Sequence, residues 1–331
     1  MASTTLTLAQ LTASGFQNVN PFAVDVIRQV LTKDNFTAQI PARGVNGIYN
    51  TYVRESTQVL AKTHAVAGTV SESVAVDVKT NDEVGRIITQ ISLDRKVAIG
   101  HNLTNPWGRQ FQAGTWAMTQ KWQNQVANGG GTAEKDISGL VKLADGAGSG
   151  QKYTPGTSTS GIALALVHLD KIKALLQYPC DFFVMNEKLY IDFKVLAQSA
   201  GGLRMEEYQR PFAVYGSDGR VLAFEEQTVR VPTYDGVPIY INNYLGTETT
   251  KGGSGKYRII AGSFEPGKGL EYFYPFTDDK GMPTALGVMV EPVQMKPDYD
   301  EKFVRGVHCG GLSLYSTKAI AHGINFKITN S

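Results

Sequence analysis

The sequence predicts an α+β fold, and three observations carry that prediction. One long amphipathic helix with marked ends, Asn105 to Gly131, separates two strand-rich regions. A helix–strand–helix run follows between Ile162 and Gly202. Strand patterns dominate again from Val221 onward, with a strong hairpin signal at Asp235-Gly236.

Residues 1–46 read as an arm and a short helix. Residues 1–19 are small and polar, suited to an extended segment. Asn20-Pro21 is a cap-plus-proline start, and Phe22, Val26, Ile27, Val30 and Leu31 form an apolar stripe as far as about Lys33. Pro41 closes the section.

Residues 47–100 change to strands. Val74, Val76 and Val78 alternate with Ala75, Asp77 and Lys79, and Ile87, Thr89, Ile91 and Leu93 alternate with Ile88, Gln90, Ser92 and Asp94. Lys79–Glu83 reads as a polar turn between them, and Gly68–Ser73 as a second break. An isolated two-stranded excursion is marginal in water, so it needs a surface to lie on. That surface is either its own domain or a neighbouring subunit.

Residues 101–135 hold the long helix. Asn105 can accept a free backbone N–H, and Pro106 has none to lose at the first helical position. Trp107, Phe111, Thr115, Met118, Trp122 and Val126 fall at steps of three or four and make one apolar stripe. All three tryptophans, Trp107, Trp116 and Trp122, lie on this helix, which reads as a packing spine. Gly114 inside it costs roughly 1 kcal/mol against Ala, so close packing is expected there. Asn128 and Gly129–Gly131 end the helix.

Residues 136–285 read as a mixed domain. Lys142–Thr159 is rich in Gly and Ser and reads as a loop and domain boundary. Ile162, Leu166, Leu169, Ile172 and Leu176 mark a helix ended by Tyr178-Pro179. Phe182–Met185 is a short buried strand. Asn186 then caps a helix carrying Leu189, Phe193 and Leu196, with Gly201-Gly202 at its end. Val231–Leu245 is the hairpin, and Arg258–Gly262 and Gly269–Phe276 are further strands. Residues 286–331 return as strands: Leu286–Val293, then a last pair within 303–328. No internal repeat of fixed period is present.

Composition narrows the function. A chain of 331 residues can bury one large core or two smaller ones. With 32 basic and 30 acidic residues the net charge is +2, unlike a dedicated nucleic-acid reader. The two cysteines, Cys180 and Cys309, read as reduced, mostly buried thiols. The N-terminal stretch lacks a secretory pattern, and no run of 18 apolar residues exists, so no membrane partner is expected.

Gly262-Ser-Phe-Glu-Pro-Gly-Lys268-Gly269 resembles a phosphate loop, but Gly269 stands where the magnesium-binding hydroxyl belongs and an aromatic strand pattern follows. It reads as a glycine turn, and a nucleotide hydrolase using Lys268 is carried only as an alternative. His64, His101, His168, His308 and His322 offer no helical i, i+4 metal pair, and His308-Cys309 point to opposite faces of a strand. Glu206-Glu207, Glu225-Glu226 and Asp278-Asp279 read as solvated surface, and Tyr272–Tyr274 with Phe276 as core or interface. No catalytic, cofactor or metal residue is therefore assigned, and the protein is not read as an enzyme.

The order of elements resembles the major capsid proteins of tailed bacteriophages with the Hong Kong 97-type shell fold. Thr69–Ser73 sits where that family's extended loop turns, and Asp94–Ala98 is similar to the strand leading into its spine helix. Asp136–Leu140 is similar to the entry to its axial domain, and Phe183–Asn186 and Gly236–Asn242 to well-kept pieces of that domain. The resemblance implies a peripheral domain with the spine helix, an axial domain, an N-terminal arm and an extended β-hairpin loop lying across the adjacent subunit. Glu55, Lys62, Lys79 and Arg86 on that excursion are its candidates for inter-subunit contact. Some family members cross-link loop lysines to asparagines; no motif here matches that chemistry, so it is not carried over.

The resemblance further implies pentamers and hexamers closing into an icosahedral shell around double-stranded DNA. Contact with packaged DNA would be non-specific. The protein would reside in the virion after assembly in the host cytoplasm, with a portal and in some cases a decoration protein as partners. Some members carry a fused scaffold ahead of the first helix; this chain has only some twenty residues there, so a separate scaffold protein is expected. The alternative of the same fold is a cellular cage subunit that encloses an enzyme.

Overall fold

A computed structural model describes residues 35–57, 76–94, 106–130, 136–156, 161–200, 204–215, 221–245, 256–277, 287–290, 294–295 and 301–329. The arm, the helix expected over 21–33 and the tip of the excursion lie outside the described residues.

The chain begins with α1 (Asn35–Gln39), β1 (Ala42–Val45), β2 (Tyr49–Thr57), β3 (Val76–Glu83) and β4 (Gly85–Asp94). The spine helix α2 (Pro106–Asn128) follows, then α3 (Leu140–Gly146), β5 (Lys152–Tyr153), β6 (Ile162–Ala163) and α4 (Leu166–Lys173). Next come β7 (Phe182–Met185), α5 (Glu187–Ser199), β8 (Arg204–Tyr215), β9 (Val221–Tyr234) and β10 (Val237–Ile241). The last strands are β11 (Lys256–Gly262), β12 (Leu270–Pro275), β13 (Val288–Val290), β14 (Gln294–Met295), β15 (Glu301–Leu314) and β16 (Ile320–Lys327).

These strands make an eight-stranded sheet, a six-stranded sheet and a separate two-stranded ribbon. The larger sheet runs β5-β16-β11-β7-β10-β9-β8, with β6 also paired to β16. Its central strand β7, Phe-Phe-Val-Met, is buried along its whole length because both of its faces are covered. Phe182 and Val184 enter one core with Trp122, Val126, Ile260, Tyr272 and Leu312. Phe183 and Met185 enter the other, with Leu169 and Ile172 of α4 and Leu189 and Phe193 of α5. The Asn186 side chain accepts the Lys188 N–H at 3.0 Å and caps α5, as expected. The β9–β10 turn holds Asp235 at φ 50° and Gly236 at φ 74°, the left-handed pair that Asp-Gly supplies readily.

The six-stranded sheet is built on β15. One edge of β15 pairs antiparallel with β4 from Glu301↔Asp94 to Gly310↔Gly85, and the other takes β12, β13 and β14. Gly114 explains how closely α2 lies on β4: a Cβ there would sit 2.7 Å from Ile91 Cδ1 and 3.0 Å from Thr89 Cγ2. Trp122, about two turns further, is buried against Tyr272, with ring centroids 5.4 Å apart.

Four local expectations are corrected. Lys79–Glu83 is not a turn: it continues β3, paired with β2 through Val53↔Lys79 and Tyr49↔Glu83, because a two-stranded ribbon with one wet face accepts polar residues. The break falls at Val84, and β4 pairs with β15 rather than with β3. Lys142–Thr159 is not an open loop: Leu140, Leu143 and Ala144 bury one face of α3, and β5 pairs with β16. Ile162 is not helical but pairs as β6 with Phe326, and the helix starts at Leu166. The expected last pair does not pair with itself, since β15 and β16 belong to different sheets.

Candidate assembly surface

The ribbon β2–β3 is the only two-stranded sheet among the described residues. Its two faces differ. Asn50, Tyr52 and Arg54 alternate on one face, and near the base they grip the end of β15. Asn50 Nδ2 donates to Ser313 Oγ at 2.9 Å, and Arg54 Nε donates to the Leu314 carbonyl at 3.0 Å. The Tyr52 hydroxyl donates to Asp82 Oδ2 at 2.7 Å and lies 3.1 Å from the Leu314 carbonyl oxygen. Its ring packs against Tyr315, with centroids 4.5 Å apart. Burial first, then the Asp82 carboxylate, pushes the Tyr52 phenol well above its ordinary value, so it remains a neutral donor at any physiological pH. Burial also raises the Tyr315 phenol.

The other face is open. Tyr49 is 52% and Val53 61% exposed, and Thr51, Lys79 and Asn81 are exposed beside them. Thr51 Oγ1 and Asn81 Oδ1 meet across the strands at 2.9 Å and hold the register. Ile48 ahead of β2 and Val78 on β3, both at least half exposed, are in phase with Asn50 and Arg54 and so belong to the anchored face. Isolated apolar residues on a surface need no explanation, but Tyr49 and Val53 together on one bare face make it a candidate contact surface.

The candidate contact residues fall in different places. Glu55 pairs in register with Asp77 and Lys79 with Val53, so both belong to the ribbon, two rungs apart. Arg86 is exposed but stands on β4 of the six-stranded sheet, opposite Cys309. Burial raises the Cys309 thiol, and the Arg86 charge opposes that. Lys62 lies outside the described residues. The anchoring residues Asn50, Tyr52 and Arg54 had no signal in the local sequence, since their partners are some 260 positions away.

The Gly262–Gly269 segment joins β11 to β12, and hence the two large sheets. Its donors are already engaged. Ser263 Oγ and the Phe264 N–H both reach Asp181 Oδ2, at 2.9 and 2.6 Å, and the Gly269 N–H reaches the Glu265 carbonyl at 2.7 Å. A carboxylate therefore occupies the position from which an incoming phosphate would be repelled, and a strand rather than a helix follows. Cys180 and Cys309 are both free thiols, as expected. Among the described residues no group of three His, Cys, Asp or Glu is placed to hold a metal, and no helix is long and apolar enough to cross a membrane.

No protein-family model and no curated protein matches the chain. Solved structures do. The SrpI encapsulin of Synechococcus elongatus PCC 7942, from its holo complex, superimposes with a TM-score of 0.62 at 12% identity, covering 96% of this chain and 92% of the encapsulin chain. The capsid of the native GTA particle gives 0.56 at 12% identity, covering 98% and 94%. A chain of Mycobacterium phage Bobi gives 0.51 at 12% identity, covering 89% of each. The chain therefore has the α+β capsid-shell fold that its element order resembles. At this identity the likeness defines the fold.

Proposed function

We propose that this chain is a major capsid protein of a tailed phage, self-assembling into pentamers and hexamers of an icosahedral shell that encloses double-stranded DNA. The observation that carries the reading is the β2–β3 ribbon: on a shell-protein fold, it is anchored at its base and open on a face bearing Tyr49, Val53 and Lys79. A second copy would cover that face, with Glu55, Lys62, Lys79 and Arg86 as contact residues. The six-stranded sheet with α2 would form the peripheral domain and the eight-stranded sheet the axial domain. The balanced charge, +2 overall, suits a wall that contacts DNA non-specifically without trapping it. A separate scaffold, a portal and a decoration protein are the partners this reading calls for, with assembly in the host cytoplasm and residence in the virion.

Negative-stain microscopy of the purified protein tests the reading. Closed polyhedral particles or capsomer rings are expected, and a protein that stays monomeric under all assembly conditions refutes it. A second reading, a cellular cage enclosing an enzyme, is favoured by the encapsulin superposition at 0.62. Particle contents separate the two: nuclease-protected DNA supports the first, a co-purifying enzyme the second.

A further inference from the structure

Two histidines are buried where a helix seats on a sheet, and they are not equivalent. His322 of β16 is 1% exposed, with Nε2 3.6 Å from Asp145 Oδ1 of α3. The same carboxylate oxygen takes Arg258 Nη1 at 3.1 Å. A proton on His322 would thus meet a carboxylate, although burial outweighs the Asp145 charge and pushes that imidazole down to about 4 as well. His308 of β15 is 6% exposed and lies under the spine helix, its ring centroid 4.4 Å from that of Trp122. Its Nε2 is 3.1 Å from the Tyr272 hydroxyl of β12. Its Nδ1, and Trp122 Nε1 above it, find no hydrogen-bond partner among the described residues.

Among the described residues, the remaining neighbours of His308 offer no anion. The register partners are Ile87 on β4 and Val288 on β13. Tyr274 stacks behind Tyr272 at 5.9 Å. Arg86 and Glu271 are one residue out of phase with Ile87 and Tyr272, on the other face of the sheet. Lys121 of α2 is exposed. A cation formed on this ring would be buried without a counter-charge.

We propose that His308 is an acid-sensitive latch on the spine helix: protonating its imidazole drives the ring out from under Trp122 and releases α2 from the six-stranded sheet. The release goes beyond the shell reading and does not depend on it, since every group involved lies within one chain. Burial pushes the His308 imidazole down to about 4, whereas in the unfolded chain it titrates near 6.5. The unfolded or opened form therefore binds the proton more readily, and stability falls as pH drops from about 6.5 toward about 4. The far core around Phe183 and Phe193 is met by His168, whose ring centroid lies 5.6 Å from that of Phe326, but that side chain is only partly buried, and the core is expected to hold longer.

The test uses the full chain with Trp107→Phe and Trp116→Phe, leaving Trp122 as the reporter of its own contact. Its emission is expected to change cooperatively between about pH 6 and 4. His308→Gln, checked for folding at pH 8 by near-ultraviolet circular dichroism, is expected to lower that midpoint by about one pH unit. A midpoint unmoved by His308→Gln overturns the latch. Hydrogen exchange of the unsubstituted protein, corrected for intrinsic rates, decides the matter even if the variant does not fold. Residues 115–128 must lose protection at a higher pH than 187–199, and simultaneous loss overturns the proposal.

Discussion

The strand β7 and the ribbon β2–β3 use similar chemistry to opposite ends. In β7, Phe182, Phe183, Val184 and Met185 are all fully buried, with a separate core on each side. In the ribbon, Tyr52 is buried while Tyr49 and Val53, an odd number of positions away, are more than half exposed. One strand is satisfied by its own chain; the other is satisfied on one face only. The difference shows that strand pattern alone marks which residues alternate, not whether the second face is closed within the molecule.

Substitutions can break that contrast, beginning where the largest loss is expected. Phe183→Ala empties a site with no exposure and should destabilise the chain by about 3–5 kcal/mol, read as a shift in the urea midpoint. Gly114→Leu forces a side chain into the gap held by Ile91 and Thr89 and should cost about 1–3 kcal/mol, with α2 loosened from β4. Tyr52→Phe removes the donor to Asp82 and should cost about 1 kcal/mol. Its sharper readout is faster hydrogen exchange in 49–57 and 76–83 with little change in β7. Val53→Asp should alter the stability of the isolated chain by less than about 0.5 kcal/mol, yet abolish particle formation in sedimentation. If Val53→Asp assembles as well as the parent, the open face is not a contact surface.

The elements with complete local signals were legible in the sequence. The spine helix, the Asn186-capped helix, the buried Phe182–Met185 strand and the Asp235-Gly236 turn each combine a periodic pattern with a capping or turn residue. What escaped depends on distant partners. Lys79–Glu83 reads as a turn by composition, and only its pairing with Tyr49–Val53 makes it a strand. Leu140 and Leu143 sit at the edge of a Gly/Ser stretch whose helix is set by burial against the core, not by propensity. The ribbon's need for a surface was readable from its length, but not that Asn50, Tyr52 and Arg54 would clamp it to Ser313 and Leu314.

The long strand β15 carries a consequence for synthesis. Its rungs join Glu301–Gly310 to Gly85–Asp94, so the sheet beneath the tryptophan-bearing helix stays incomplete until the ribosome has passed residue 310. Contacts so remote in sequence form slowly. A polypeptide cut short by a stalled ribosome or a nick lacks the strand on which β4 and β12 both depend, and so cannot present the clamp that orients the ribbon. Quality control is thereby written into the topology: a translation product without residues 301–310 has no strand for β4 to pair with.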